Sequence, residues 1–405
     1  MDDSRRLALS QARGGGADFI EDSQKALIAL AREVGVPLVP IVRRGFGYYG
    51  TDARGKLSRQ PMGSVFRALD DSFHALVRAY RLNERRADGP IARVLARQSV
   101  AEWARATGAG DALVARLRAL RGLFLADPEE LSLAALIDFF ADFEDEGGRA
   151  MGRSFRARDG NDRIAAKVAD ALREPVRLGT VVKQIAQTDR GVVASVDDGR
   201  RQSTIAADCV VLAVPATTAR AIIFEPALPE AQQDAIRALR YGRATRLLVQ
   251  FDRRFWTKRG QPNAFGSDQA FGAVWDGNEQ QKGRAAILSF LAGGGASEGL
   301  RTMLAESGPD DPKGLGRLVP RLRWLGTPGA VLASRRITWE DDPWAGGGYA
   351  FFDPAFEPGW RDLLARPFRR VYCAGEHTST RWQGYMNGAV ESGQRAAAEL
   401  AIGNR

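Results

Sequence analysis

The stretch Arg369–Leu400, RRVYCAGEHTSTRWQGYMNGAVESGQRAAAEL, decides the reading of this chain. Its apolar opening, Val371-Tyr372-Cys373-Ala374, predicts a buried strand that breaks at Gly375-Glu376. A polar loop follows. After Gly384 the spacing changes to that of a helix whose inner face is expected to be Ala389, Gly393, Ala396 or Ala397, and Leu400, nearly all of them small. Small residues let a helix approach its neighbour closely. The helix start directs unpaired backbone N–H groups and a partial positive charge at whatever precedes it, which suits an anion or an electron-rich heterocycle.

Within that stretch, AGE(H)T…WQGYMNGAVESG resembles the C-terminal flavin-binding signature of the FAD-dependent amine oxidases, the monoamine oxidase and polyamine oxidase group. The resemblance implies an α/β, two-domain fold. An FAD-binding domain is expected from residues 1–50, 155–235 and 350–405, and a substrate domain with a helical insert from 51–154 and 236–349. It further implies oxidative deamination of a small-molecule amine with O2 as acceptor, giving an imine and H2O2. Two other readings remain open on the residues. One is an FAD-dependent desaturase or oxidase of an apolar substrate; the other is a flavin-poor homologue that acts as a binding protein.

Composition fits an ordinary globular protein: 405 residues, 44% apolar and 26% charged. No apolar run approaches the roughly 18–20 residues that span a bilayer. The start, MDDSRRLALSQ, lacks the apolar core of a secretory signal, so a cytoplasmic protein is expected. The net charge of +9 comes from 58 Lys and Arg spread along the chain without a basic block, which argues for a solvated surface and against nucleic acid. The two cysteines, Cys209 and Cys373, sit in apolar runs and read as reduced core residues, and with only two histidines no metal site is expected.

Residues 14–42 place a glycine-rich turn before a helix with Leu27, Leu30, Ala31 and Val34 on one face, ended by Gly35 and Pro37. A similar segment in the family follows a strand, a G-x-G-x-x-G turn, a helix and a second strand that ends in a ribose-binding carboxylate. The 13 residues before Gly14 cannot hold a βαβ unit of about 30 residues. The expectation is therefore a sequence without that unit, because of a late-called start, a truncated gene or a partner that supplies it, and FAD binding by this chain alone is expected to be weak.

Apolar repeats at helical spacing predict helices over Val65–Tyr80, Ile91–Thr107, Ala112–Leu125 and Leu131–Phe143, and His74 packs on the first of them. Asn161–Leu172 reads as a further helix. Strands separated by Asp-Arg-Gly and Asp-Asp-Gly turns follow, up to the apolar run Cys209–Val214. By the resemblance, Val182 meets the FAD adenine.

In ATRLLVQF, Ala244–Phe251, alternation puts Arg246, Leu248 and Gln250 on one face. The family's lysine at the matching position holds a water near the flavin ring, and Arg246 stands there instead; a planar guanidinium is not a simple replacement. The other reading of Arg246 is a solvent-facing residue on an edge strand. WEDDPWAGGGY, Trp339–Tyr349, resembles the family segment that delivers an aromatic residue to the pocket. A cysteine precedes that aromatic in members with covalent flavin; Gly348 stands there, so non-covalent FAD is implied.

The resemblance makes Tyr349 and Tyr385 the two aromatic walls that orient the amine, by cation–π attraction when it is charged and by shape when it is neutral. It makes Gly375, Glu376, Trp382, Gly384, Tyr385 and Met386 the flavin contacts, with Glu376 accepting from ribityl hydroxyls or a bridging water. His377 reads as a hydrogen-bonded structural histidine. Trp275 and Phe290 are expected to shape the substrate pocket.

Overall fold

The computed structural model describes residues 15–52, 55–61, 63, 69, 71–82, 89–107, 110–145, 152–304 and 312–403. The segment before Gly15 lies outside them, as does the first part of the expected helix Val65–Tyr80.

The largest sheet has seven strands in the order Val331–Thr338, Ala244–Phe251, Ala286–Gly293, Ala273–Asp276, Ala264–Ser267, Phe46–Thr51 and Leu57–Pro61. Ala244–Phe251 pairs on both sides, so all eight of its residues are buried. One face, Leu247, Val249 and Phe251, joins Trp256, Phe265 and Phe290 in an apolar core. Arg246 is 2% exposed on the other face, which rules out the solvent-facing edge position.

A helical layer made by Asp71–Leu82, Pro90–Ala96, Val100–Ala106, Gly110–Leu117 and Leu133–Asp145 encloses a second core around Phe73, Val77, Leu136 and Ile137. The single helix expected over Ile91–Thr107 is two. Ser99 accepts from the N–H of Glu102, whose carboxylate accepts from the N–H of Ser99, and this capping box starts a new helix within the continuous apolar repeat. The helix expected over Ala112–Leu125 likewise breaks at Arg118–Leu120 and stops at Leu125, which is left-handed with φ 54°.

Around the C-terminal stretch the elements are smaller. Val371–Cys373 and Val210–Leu212 are strands, as their apolar runs predict, and they pair in parallel. Ile20–Glu21, Ser154–Ala157 and Leu38–Ile41 form a three-stranded sheet, and Val181–Gln187 belongs to a four-stranded sheet with its two following strands and Ile223–Glu225. Helix Lys25–Glu33 buries Leu27 and Ala31 and ends at Gly35, with φ 70°.

The C-terminal helix, Met386–Gly403, buries Asn387, Gly388, Ser392 and Ala396, whereas Ala389, Gly393 and Ala397 face solvent. The inner face is thus turned by about one residue from the expected one. Polar side chains cause the shift: Asn387 Oδ1 accepts from the N–H of Leu27, and Ser392 Oγ accepts from the N–H of Gly375. A reading of apolar spacing scores these two as surface residues.

Candidate active site

A cavity of about 150 Å³ lies between the helical layer and the C-terminal segment. Tyr349, Trp382, Gly384 and Tyr385 all line it, so two segments far apart in sequence supply adjoining walls. The glycine turn before Tyr349 uses positive φ at Gly346 and Gly347 to bring the chain back to the sheet, where the N–H of Gly348 donates to the carbonyl of Gly242. A side chain at Gly348 would be crowded, because its Cβ would stand 2.3 Å from Leu125 Cδ1 and 2.9 Å from Ala244 Cβ, so that neighbours would have to shift.

The Tyr349 hydroxyl donates to the carbonyl of Leu123 at 2.6 Å, which fixes the ring by both ends. Its other support is Gly384: a methyl group there would meet the Tyr349 ring at 3.2 Å. Gly384 also has φ 82°, so glycine serves both the turn and the close approach. Trp382 is buried and stands nearly perpendicular to Tyr385, with ring centroids 5.5 Å apart.

Glu376 connects the two walls. Its Oε1 accepts from the N–H of Ala350 at 3.1 Å and its Oε2 from the N–H of Gly384 at 2.6 Å. One carboxylate thereby ties together the residue after Tyr349 and the residue before Tyr385. Burial pushes its pKa up to about 7, with the two N–H donors pulling it partly back. Burial also raises the pKa of the Tyr349 phenol, with Glu376 adding to the effect, so Tyr349 stays neutral.

His377 is enclosed against Gly375, and burial together with Arg395 lowers its pKa to about 4. It is a neutral structural imidazole and does not line the cavity. His74 is half-buried on its helix, edge-on to Phe73.

Arg246 is also away from the cavity lining. Its Nη2 donates to Asp18 Oδ2 at 2.7 Å, and its guanidinium lies 4.4 Å from the centre of the Trp275 ring. Arg156 and the Trp275 indole N–H donate to the same carboxylate oxygen at 2.8 and 2.7 Å. Burial alone would raise the pKa of Asp18, but Arg156, Arg246 and Trp275 outweigh it and hold the carboxyl below its ordinary range. Among the described residues the cluster holds one carboxylate, Asp18, against two guanidiniums, Arg156 and Arg246.

Trp275 and Phe290, expected to shape the pocket, do not line it; Trp275 is held by Asp18 and Phe290 is buried in the large sheet's core. Phe124, Phe139, Phe351 and Phe352 line it instead, along with the acidic residues Glu21 and Asp138. Asp138 accepts from the Tyr80 hydroxyl at 3.0 Å. Nothing in the local sequence separates these residues from core positions, since they meet only when the helices pack on the C-terminal segment. Val182 stands in the four-stranded sheet and is not brought to the cavity.

Gly375 is joined to the helix that Met386 begins, through the bond from its N–H to Ser392 Oγ. Gly375, with φ 115°, follows the strand end, and Met386 packs against the cluster containing Ile20 and Leu27. The N-termini of helices Lys25–Glu33 and Met386–Gly403 converge here through the Leu27–Asn387 bond. Gln24, the residue before helix Lys25–Glu33, is 1% exposed, and neither its side-chain nitrogen nor its oxygen is hydrogen-bonded. Among the described residues no helix is long and apolar enough to cross a membrane, and no group of His, Cys, Asp and Glu is arranged to hold a metal.

The sequence pattern of the flavin containing amine oxidoreductases matches residues 15–401. An L-amino acid dehydrogenase of Synechocystis sp. is 28% identical over 247 residues, 60% of this chain and 50% of that protein. The flavin-containing amine oxidase B of Homo sapiens is 28% identical over 247 residues, 60% of this chain and 46% of its own length. The chain thus matches about half the length of these curated relatives. Cyclohexylamine oxidase from Brevibacterium oxydans shares the fold with a TM-score of 0.78 at 23% identity, covering 96% of this chain and 87% of that one.

Proposed function

Since the chain belongs to the flavin-containing amine oxidoreductase family, we propose that it oxidises the C–N bond of a small-molecule amine with FAD as cofactor and O2 as acceptor, releasing imine and H2O2. One observation carries this reading: Tyr349 and Tyr385 line a single cavity and are tied through Glu376 to each other's segments.

Features of the chain fit a flavin. Two helix N-termini converge beside the cavity through the bond from the Leu27 N–H to Asn387 Oδ1. Gly375, Glu376, Trp382, Gly384 and the backbone of Tyr385 and Met386 would hold the cofactor, with Val182 assigned to its adenine by resemblance. Gly348, which has no thiol to form a linkage and is crowded by Leu125 and Ala244, favours non-covalent attachment. When bound, FAD supplies the two-electron acceptor for the hydride equivalent leaving the carbon next to nitrogen.

The protein's part is binding and orientation. Tyr349, held at its hydroxyl by Leu123 and at its ring by Gly384, presents a fixed aromatic face to the amine. Phe351, Phe352 and Trp382 exclude water. Arg246 acts as a fixed buried cation locked to Asp18 and does not touch substrate.

The test is turnover of primary amines by FAD-loaded protein, read as peroxide and imine. Tyr385→Ala is expected to retain flavin and to lower kcat/KM by on the order of 10-fold or more, from loss of one wall. Unchanged amine turnover in that variant removes the cage.

A further inference from the structure

Beside the substrate cavity lies a second, smaller void of about 10 Å³. Three helix ends meet around it: Val100 begins its helix after the capping box, while Leu117 and Phe124 are the last residues of theirs. Ala126 and Leu136 add to the wall, and every described residue that lines the void is apolar. A water molecule needs polar partners, so a void lined in this way stays dry. Its lining atoms forfeit dispersion contacts, and a guest without hydrogen-bonding groups restores them.

The position of the void identifies the guest. Phe124 and Leu131 line both the void and the substrate cavity, so these two side chains part the volumes. The Phe124 ring meets that of Phe139, another residue of the substrate cavity, edge-on with centroids 5.3 Å apart. A swing of Phe124 opens one volume into the other past apolar surface alone. The reaction proposed above takes two substrates of opposite character, an amine and dioxygen. The amine carries a nitrogen that the void cannot pair, whereas dioxygen is small, apolar and held by dispersion.

We propose that the void bounded by Val100, Ala126 and Leu136 is a dioxygen-holding site that supplies the substrate cavity past Phe124. The inference rests on O2 being the acceptor in the function proposed above and is independent of which amine is oxidised.

The experiment uses the whole chain, loaded with FAD for turnover, with xenon and dioxygen as probes. It compares wild type with Val100→Ile and Ala126→Val, which add carbons to the void at residues that do not line the substrate cavity. Xenon should enter the wild-type void, seen as saturable shifts of the Val100 and Leu136 methyl resonances. The KM for O2 should rise on the order of 5-fold in both variants, from loss of the dispersion-held guest, while the KM for the amine is unchanged. A void that is only a packing gap gives no such split between the two KM values. Missing xenon shifts, or an O2 KM unaltered in both variants, overturns the proposal; the xenon measurement on wild type decides it even where a substitution unfolds the chain. Xenon uptake by a protein that reduces an artificial acceptor and yields no peroxide overturns the O2 reading, and the dioxygen assignment with it. Missing xenon shifts with peroxide release intact overturn the holding site alone.

Discussion

Arg246 Nη2 donates to Asp18 Oδ2 at 2.7 Å inside the protein, where Arg156 and Trp275 bond to the same oxygen. The asymmetry of this cluster makes its two ends unequal. Asp18→Asn leaves two buried guanidiniums without a countercharge and should destabilise the fold by about 3–5 kcal/mol. Arg246→Met leaves Asp18 still paired with Arg156 and should cost less. Urea melts of the two variants check the order, and an Arg246→Met variant less stable than Asp18→Asn contradicts it.

Gly384→Ala should disturb both cage walls. The added methyl meets the Tyr349 ring at 3.2 Å, and alanine is strained at φ 82°. A loss of about 1–3 kcal/mol is expected, with a larger relative fall in amine kcat/KM than Tyr349→Phe causes. The latter keeps the ring and loses the hydroxyl's bond to Leu123, with its longer one to Gly122, worth about 1 kcal/mol. Denaturation and steady-state kinetics on the pair provide the comparison.

The stability profile with pH should carry opposing contributions from neighbouring residues. Glu376 has its pKa raised from 4.5 to about 7, so its contribution is present below about 4.5 and is lost as pH rises through about 7. His377 has its pKa lowered from 6.5 to about 4, so its contribution is present above about 6.5 and is lost as pH falls through about 4. Between these limits the slopes cancel in part. Glu376→Gln removes one of them, and the stability of wild type relative to the variant should therefore decline from pH 4.5 to 7. Guanidinium melts across that range measure the difference; a constant offset would show that Glu376 does not titrate in the folded protein with a raised pKa.

Gly348→Cys is expected to destabilise the chain without creating a flavin linkage, because its side chain begins 2.3 Å from Leu125 Cδ1 and 2.9 Å from Ala244 Cβ. The cost should be about 1–3 kcal/mol. Flavin that remains with the polypeptide after denaturation would contradict the expectation.

Much of this site is written locally. The strand Val371–Cys373, the turn at Gly375, the helix from Met386 and the glycine turn before Tyr349 follow from apolar runs, glycines and helical spacing over short distances. The candidate site residues Tyr349, Tyr385, Trp382 and Glu376 come from the resemblance of these segments to the amine oxidase signature, which local spacing alone does not supply.

Tertiary structure alone decided the rest. Glu376 bonds to backbone groups in two different segments, Ala350 and Gly384, and sequence carries no record of which N–H groups lie nearby. Arg246 was placed on the correct face of its strand by alternation, yet its burial depends on a neighbour strand on each side and on Asp18, 228 residues away. Phe124 and Asp138 read as helix positions until the helical layer packs over Tyr349. The unpaired amide of Gln24 is legible only once every potential partner has its place, since the absence of a hydrogen bond is a property of the whole fold and of no local pattern.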